Sequence, residues 1–162
     1  MLKYILIFLT ILILIYIFTY YNYPKKSQIY QTQIEKFKWD ILLNKQPVII
    51  DSKTINLEEF TKKWFYLNII NNFELSNSDI WNDNKYKYLI IQANNNGEIL
   101  LYPASKKMVN ENGNKIPDTE ESLVALQISE GQIIILPFHW KFLTTINIKC
   151  VGVNDIISYF LV

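Results

Sequence analysis

A chain of 162 residues with sixteen basic and fifteen acidic side chains holds one core beyond any membrane segment, since domains commonly run to roughly 100–150 residues. Half the residues are hydrophobic and 15% are aromatic, which excludes a disordered chain. Every basic residue is Lys and the net charge is only +1, so neither the two-donor fork of Arg nor a concentrated basic surface is present, and nucleic acid is excluded as the expected partner.

The absence of Arg beside 27 Ile and 17 Asn points to an AT-rich coding sequence, as in giant DNA viruses and some protists or bacteria. Cys150 is the single cysteine, which rules out an intramolecular disulfide and points to a reducing compartment.

In chain order, residues 4–21 carry no charge and are dominated by Ile, Leu, Phe and Tyr. About 20 helical residues cross a hydrocarbon core of roughly 30 Å, so residues 1–24 are expected to form one membrane anchor that contacts the bilayer through residues 4–21. Tyr20, Tyr21 and Tyr23, followed by Lys25 and Lys26, mark its far end as a membrane interface. No small-residue cleavage site follows, so the segment is expected to stay uncleaved. Lys25, Lys26, Lys36 and Lys38 outweigh Lys3 plus the terminal amine, which favours a cytosolic domain.

Over residues 25–44, Tyr30, Ile34, Phe37 and Ile41 recur three or four apart, which predicts an amphipathic juxtamembrane helix. Residues 45–162 then form the domain. Residues 48–51 predict a short strand, and Asn56 with Glu59 has the spacing of a helix cap, opening a helix to about residue 66. Residues 86–93 and 98–102 predict two strands of a hairpin turning at residues 94–97, and 106–121 a polar loop. Further strands are expected at 123–128, 132–136, 141–151 and 156–161. Short helices followed by an antiparallel meander predict a mainly β (α+β) domain, as a small barrel or sandwich.

The stretch from Leu126 to Trp140, with Gly131 six residues before Pro137, resembles the closing strands of cupin barrels, particularly the JmjC and asparaginyl-hydroxylase-like branch. Residues 96–103 resemble that family's strand ending in an aromatic and Pro, and residues 46–50 with Trp64 its opening strand and helix. The resemblance implies a double-stranded β-helix over about residues 45–162. The competing reading is a generic sandwich or barrel, in which an apolar strand between Gly and Pro is commonplace.

In that family an iron site takes two His and one carboxylate. This chain has one His, and the resemblance puts the ligand position at Phe142. The expected domain is therefore metal-free and cofactor-free, acting by binding or assembly with a protein partner, and the resemblance extends to membrane-tethered proteins of large DNA viruses. Its candidate pocket at the barrel mouth is Tyr102, His139, Trp140, Phe142 and Lys149. Two alternatives stay open: an iron-independent enzyme of the cupin superfamily using Tyr102, His139, Trp140 and Lys149, and a plain anchor that docks another subunit through Trp39, Trp64 or Trp81.

Overall fold

A computed structural model describes residues 2–24, 26–51, 56–111 and 114–161. The apolar N-terminal run forms one helix, α1 (Leu2–Tyr21), long and apolar enough to cross a membrane. Its Thr10 and Thr19 hydroxyls donate to the carbonyls of Leu6 and Ile15 one turn back, so these polar groups are satisfied within the helix.

The rest is mainly β. Strands β1 (Tyr30–Gln33) and β2 (Val48–Asp51) precede the helix α2 (Leu57–Trp64). Then come β3 (Ile69–Leu75), β4 (Ser78–Asp83), β5 (Tyr88–Ala93), β6 (Gly97–Tyr102), β7 (Met108–Glu111), β8 (Asn114–Pro117), β9 (Val124–Ile128), β10 (Ile133–Pro137), β11 (Lys141–Thr144) and β12 (Ile148–Asn154). A short helix, α3 (Ile156–Tyr159), follows.

A six-stranded sheet has the order β1-β2-β10-β5-β12-β3, a four-stranded sheet the order β4-β11-β6-β9, and β7 pairs with β8 alone. The β1–β2 pair is parallel and all others are antiparallel. None of these sheets closes into a barrel.

The large sheet is buried on both faces, which is why β10 reads as an unbroken apolar run rather than an alternating one. On one face Leu89, Ile91, Ile134, Leu136, Ile148 and Cys150 pack onto Ile99, Leu101 and Phe142 of the small sheet. On the other, Ile90, Ile133, Ile135, Val151 and Val153 are covered by Phe60 of α2 and by Ile34, Phe37 and Leu42.

Several expectations are corrected. The described residues 26–44 hold no amphipathic α-helix where one was expected over 25–44: β1 pairs along β2, and 3-10 helices follow at Ile34–Lys36 and Trp39–Asn44. Ile34 and Phe37 still turn inward, so the apolar spacing picked the buried residues while edge pairing decided the backbone. The turn at 94–97 links strands of different sheets instead of closing a hairpin, because β5 bonds to β10 and β12, and β6 to β9 and β11. The stretch at 106–121 contains the β7–β8 hairpin, and 141–151 divides into β11 and the start of β12. Residues 156–161 begin as a helix, since Asp155 and Ser158 form a reciprocal cap that a strand has no use for. At α2 the cap is one-sided: Asn56 Oδ1 accepts from Glu59 N at 2.8 Å, while Glu58 pairs with Lys62.

Candidate functional site

The last carbonyls of any helix lack partners within it. At the end of α1, Lys45 supplies them: its ammonium donates to the carbonyl of Thr19, to Tyr20 at 3.3 Å and to Asn22 at 2.7 Å. A cation at a helix C-terminus is favoured by the helix dipole. Lys45 reaches this position because it ends the Trp39–Asn44 helix in a left-handed conformation, φ 52°. Burial lowers its pKa and the charge of Lys87 lowers it further.

One turn further into α1, the Tyr16 hydroxyl donates to Asp155 at 2.6 Å, and the same carboxylate pairs with Lys87. Asp155 also caps α3, its other oxygen accepting from Ser158 N at 2.7 Å. Burial pushes the Asp155 carboxyl up, but the bonds from Lys87, Tyr16 and the Ser158 backbone outweigh it and hold the pKa at about 2. Lys87 lies over the rings of Tyr16 and Tyr88, 5.3 and 5.9 Å from their centroids.

The third contact is aromatic. Tyr20 packs on Phe138 at 4.4 Å between centroids, and Tyr21 and Tyr23 meet the His139 ring at 6.4 and 6.1 Å. The turn carrying Phe138 and His139 is set by the buried Asn84, whose amide donates to Leu136 and Pro137 carbonyls at 2.9 and 2.8 Å. The Asn84 carbonyl then accepts His139 N at 2.8 Å, holding His139 at φ 60°, a conformation few non-glycine residues take. Burial lowers the His139 pKa, opposed by Asp83 and assisted by Lys141, which favours the neutral ring. Among the described residues no carboxylate or nucleophile is hydrogen-bonded to the His139 ring.

Of the five pocket residues expected from sequence, the structure does not make one site. Phe142 is 2% exposed in the layer between the sheets. Trp140 is buried beside it, its indole donating to the Lys45 carbonyl at 3.3 Å. Tyr102 pairs in register with Lys141 and so faces the opposite side from Phe142, beneath Trp81 and the Lys141 ammonium. Lys149 points to the other face of the large sheet from Cys150.

His139 instead joins the expected interface residues Tyr21 and Tyr23. Lys26 is exposed, its carbonyl accepting from Gln46, and Lys25 lies outside the described residues. The three tryptophans do not share a patch: Trp39 donates to the Trp64 carbonyl at 3.0 Å over the α2 side of the domain, whereas Trp81 meets Tyr102 edge-on. Sequence reading missed Lys45, Asn84, Lys87 and Asp155, which sit at irregular separations. Only the Asp155-x-x-Ser158 spacing offers a local signal, that of a helix cap, and the strand expected at 156–161 passes over it.

This collar of ion pair, helix cap and stacked rings can hold α1 in a fixed orientation. Among the described residues no three His, Cys, Asp or Glu side chains come together as a metal site would require. No protein-family model matches the chain, and no curated protein matches it in sequence.

Proposed function

We propose that the chain is a single-pass membrane protein whose β domain is a metal-free double-stranded β-helix of cupin type, working by binding or assembly with a protein partner and not by catalysis. The strand order supports the fold. Counting β3, β4, β5, β6, β9, β10, β11 and β12 as one to eight, the sheets run 1-8-3-6 and 2-7-4-5, the alternation expected of a jelly roll built from two Greek keys.

The observation that carries the function is Phe142. It stands where the resemblance puts a metal-binding imidazole, paired in register with Leu101 and Asn82 and buried in an apolar layer. A bound ion there would meet a phenyl ring in place of a donor. The charge-free run of residues 4–21 in α1 and the Tyr-rich collar support the anchor, and Lys26, Lys36 and Lys38 after it support a cytosolic domain. The Arg-free, Ile- and Asn-rich composition fits an AT-rich genome such as that of a large DNA virus, and hence a virion or host-derived membrane.

The test is elemental analysis of the full chain purified in mild detergent, with assay of 2-oxoglutarate turnover. The expected result is no stoichiometric transition metal and no turnover. One ion per chain surviving dialysis, with turnover abolished by His139→Ala, would establish the enzyme reading instead.

A further inference from the structure

We infer that the end of the β domain packed around α1 is itself immersed in the lipid interface, giving the protein a second, non-spanning membrane contact through α3 and the turn at Tyr66 and Leu67. The inference rests on the reading of α1 as a spanning helix.

Helix length supplies the first reason. Lys3 closes the apolar run at one end, and residues 4–15 stand clear of the domain. At 1.5 Å per residue those twelve rise roughly 18 Å, well short of the roughly 30 Å hydrocarbon core. Residues 16–21 are the ones that the domain grips, and they add about 9 Å. A span therefore needs them too, which draws whatever packs against them to a depth of about 5–10 Å, the depth at which interfacial helices ride.

What packs there is suited to lipid. Asp155 and Leu161 bond to the Tyr16 and Tyr21 hydroxyls, so α3 lies against this part of α1, with Ile156, Tyr159 and Phe160 exposed, Phe160 at 79%. Asn68 donates to the Asn154 carbonyl at 3.4 Å, and Ile69 pairs with Asn154, which brings Tyr66 and the 80%-exposed Leu67 to the same end. Leu43, also exposed, borders a groove of about 210 Å³ with Tyr16 and Thr19. Among the described residues outside α1, the exposed large apolar side chains gather at this end, with Ile80 and Val109 as the exceptions. Such a concentration in water has a large cost in exposed apolar surface, and beside a spanning helix a bilayer removes it. Of the charged groups at this depth, Lys87 and Asp155 are paired with each other and Lys45 is bonded to the carbonyls that end α1, as groups at a membrane boundary must be.

The experiment uses the full chain reconstituted in phosphatidylcholine vesicles, with single cysteines carrying an environment-sensitive nitrobenzoxadiazole label. Cys150, 1% exposed, stays unlabelled in the folded protein. The positions are Ile13→Cys in α1, Leu67→Cys and Phe160→Cys in the proposed contact, and Asn95→Cys at the opposite end of the strands. Doxyl lipids quench from a shallow or a deep acyl position. Positions 67 and 160 are expected to show blue-shifted emission that loses most of its intensity to the shallow quencher, while 95 emits as in water and 13 is quenched by the deep one. Quenching at 13 with water-like emission at 67 and 160 overturns the inference and leaves the anchor standing. Blue-shifted but unquenched labels at 67 and 160 mean that a second copy or another protein covers this end, which also overturns it. No quenching at 13 overturns the anchor and this contact with it.

Discussion

The Lys45 ammonium and the Asn22 carbonyl oxygen lie 2.7 Å apart, across the junction between the apolar helix α1 and the β domain. Because the same ammonium reaches the Thr19 and Tyr20 carbonyls, one side chain closes the end of α1 from outside the helix. Lys45→Met keeps the aliphatic stem and removes the charge and the donors. It is expected to cost about 1–2 kcal/mol, from the lost charge–dipole interaction and charged hydrogen bonds. Denaturant titration in detergent checks the size, and faster amide exchange at residues 19–22 checks the place.

Asp155 gives the junction a pH dependence. Its pKa is about 2 in the folded protein against an ordinary 3.8, so its stabilising contribution is fully present above about pH 4 and is lost as pH falls through 2. Asp155→Asn keeps the cap on α3, for which Asn serves as well as Asp, and removes the ion pair with Lys87. With allowance for solvent screening of this partly exposed pair, the variant is expected to lose on the order of 1 kcal/mol at pH 7. Melting curves of the two proteins should draw together as pH falls from about 4 through 2, and a gap undiminished at pH 2 would assign the loss to something other than the carboxylate charge.

Local signals in the sequence carried much of this architecture. The length of α1 and its charge-free run over residues 4–21, the cap at Asn56 and the apolar runs of β2, β5, β6 and β10 all lie within a few neighbouring residues, where period and propensity act. Partner choice does not. Nothing in residues 94–97 tells whether β5 and β6 pair with each other or divide between two sheets, since either arrangement buries the same faces. The strand β3 was hidden because Ile69, Asn71, Asn72 and Glu74 are exposed along one edge, so its polar residues read as loop. The collar was half legible: its tyrosines announce an interface, but Lys45, Lys87 and Asp155 meet only after the chain has folded back over 42 and 68 positions. The placement of the five expected pocket residues was not legible, because strand parity, which separates Lys149 and Tyr102 from Phe142, requires the register as well as the residue list.

Gly152 and Tyr86 are fitted to each other. A Cβ at Gly152 would lie 2.4–2.6 Å from three carbons of the Tyr86 ring, which crosses β12 at this point and is held by Asn71 Nδ2 on its hydroxyl at 2.8 Å. Gly152→Ala therefore displaces the ring and is expected to destabilise by about 1–3 kcal/mol, as overpacking does. In a double-mutant cycle with Tyr86→Ala the Gly152→Ala penalty should shrink, because the ring it strikes is gone. Equal penalties in both backgrounds would mean that backbone conformation at Gly152, and not the ring, demands the glycine.

Phe142 separates a filled interior from an open one. Its ring is fully enclosed by the small sheet and by the large sheet across from it, so Phe142→Ala should open a cavity and cost about 3–5 kcal/mol. Phe142→Leu keeps most of the volume and should cost under about 1.5 kcal/mol. Lys149→Ala, on the outer face of the large sheet, should stay within about 0.5 kcal/mol. Guanidinium titration followed by tryptophan emission ranks the three, with Trp140 beside Phe142 as the reporter. If the side chain lined a solvent-filled lumen, water would occupy the space left by truncation and Phe142→Ala would fall near Lys149→Ala. The large gap between them is the thermodynamic signature of a dry layer at the position where the resemblance called for a metal ligand.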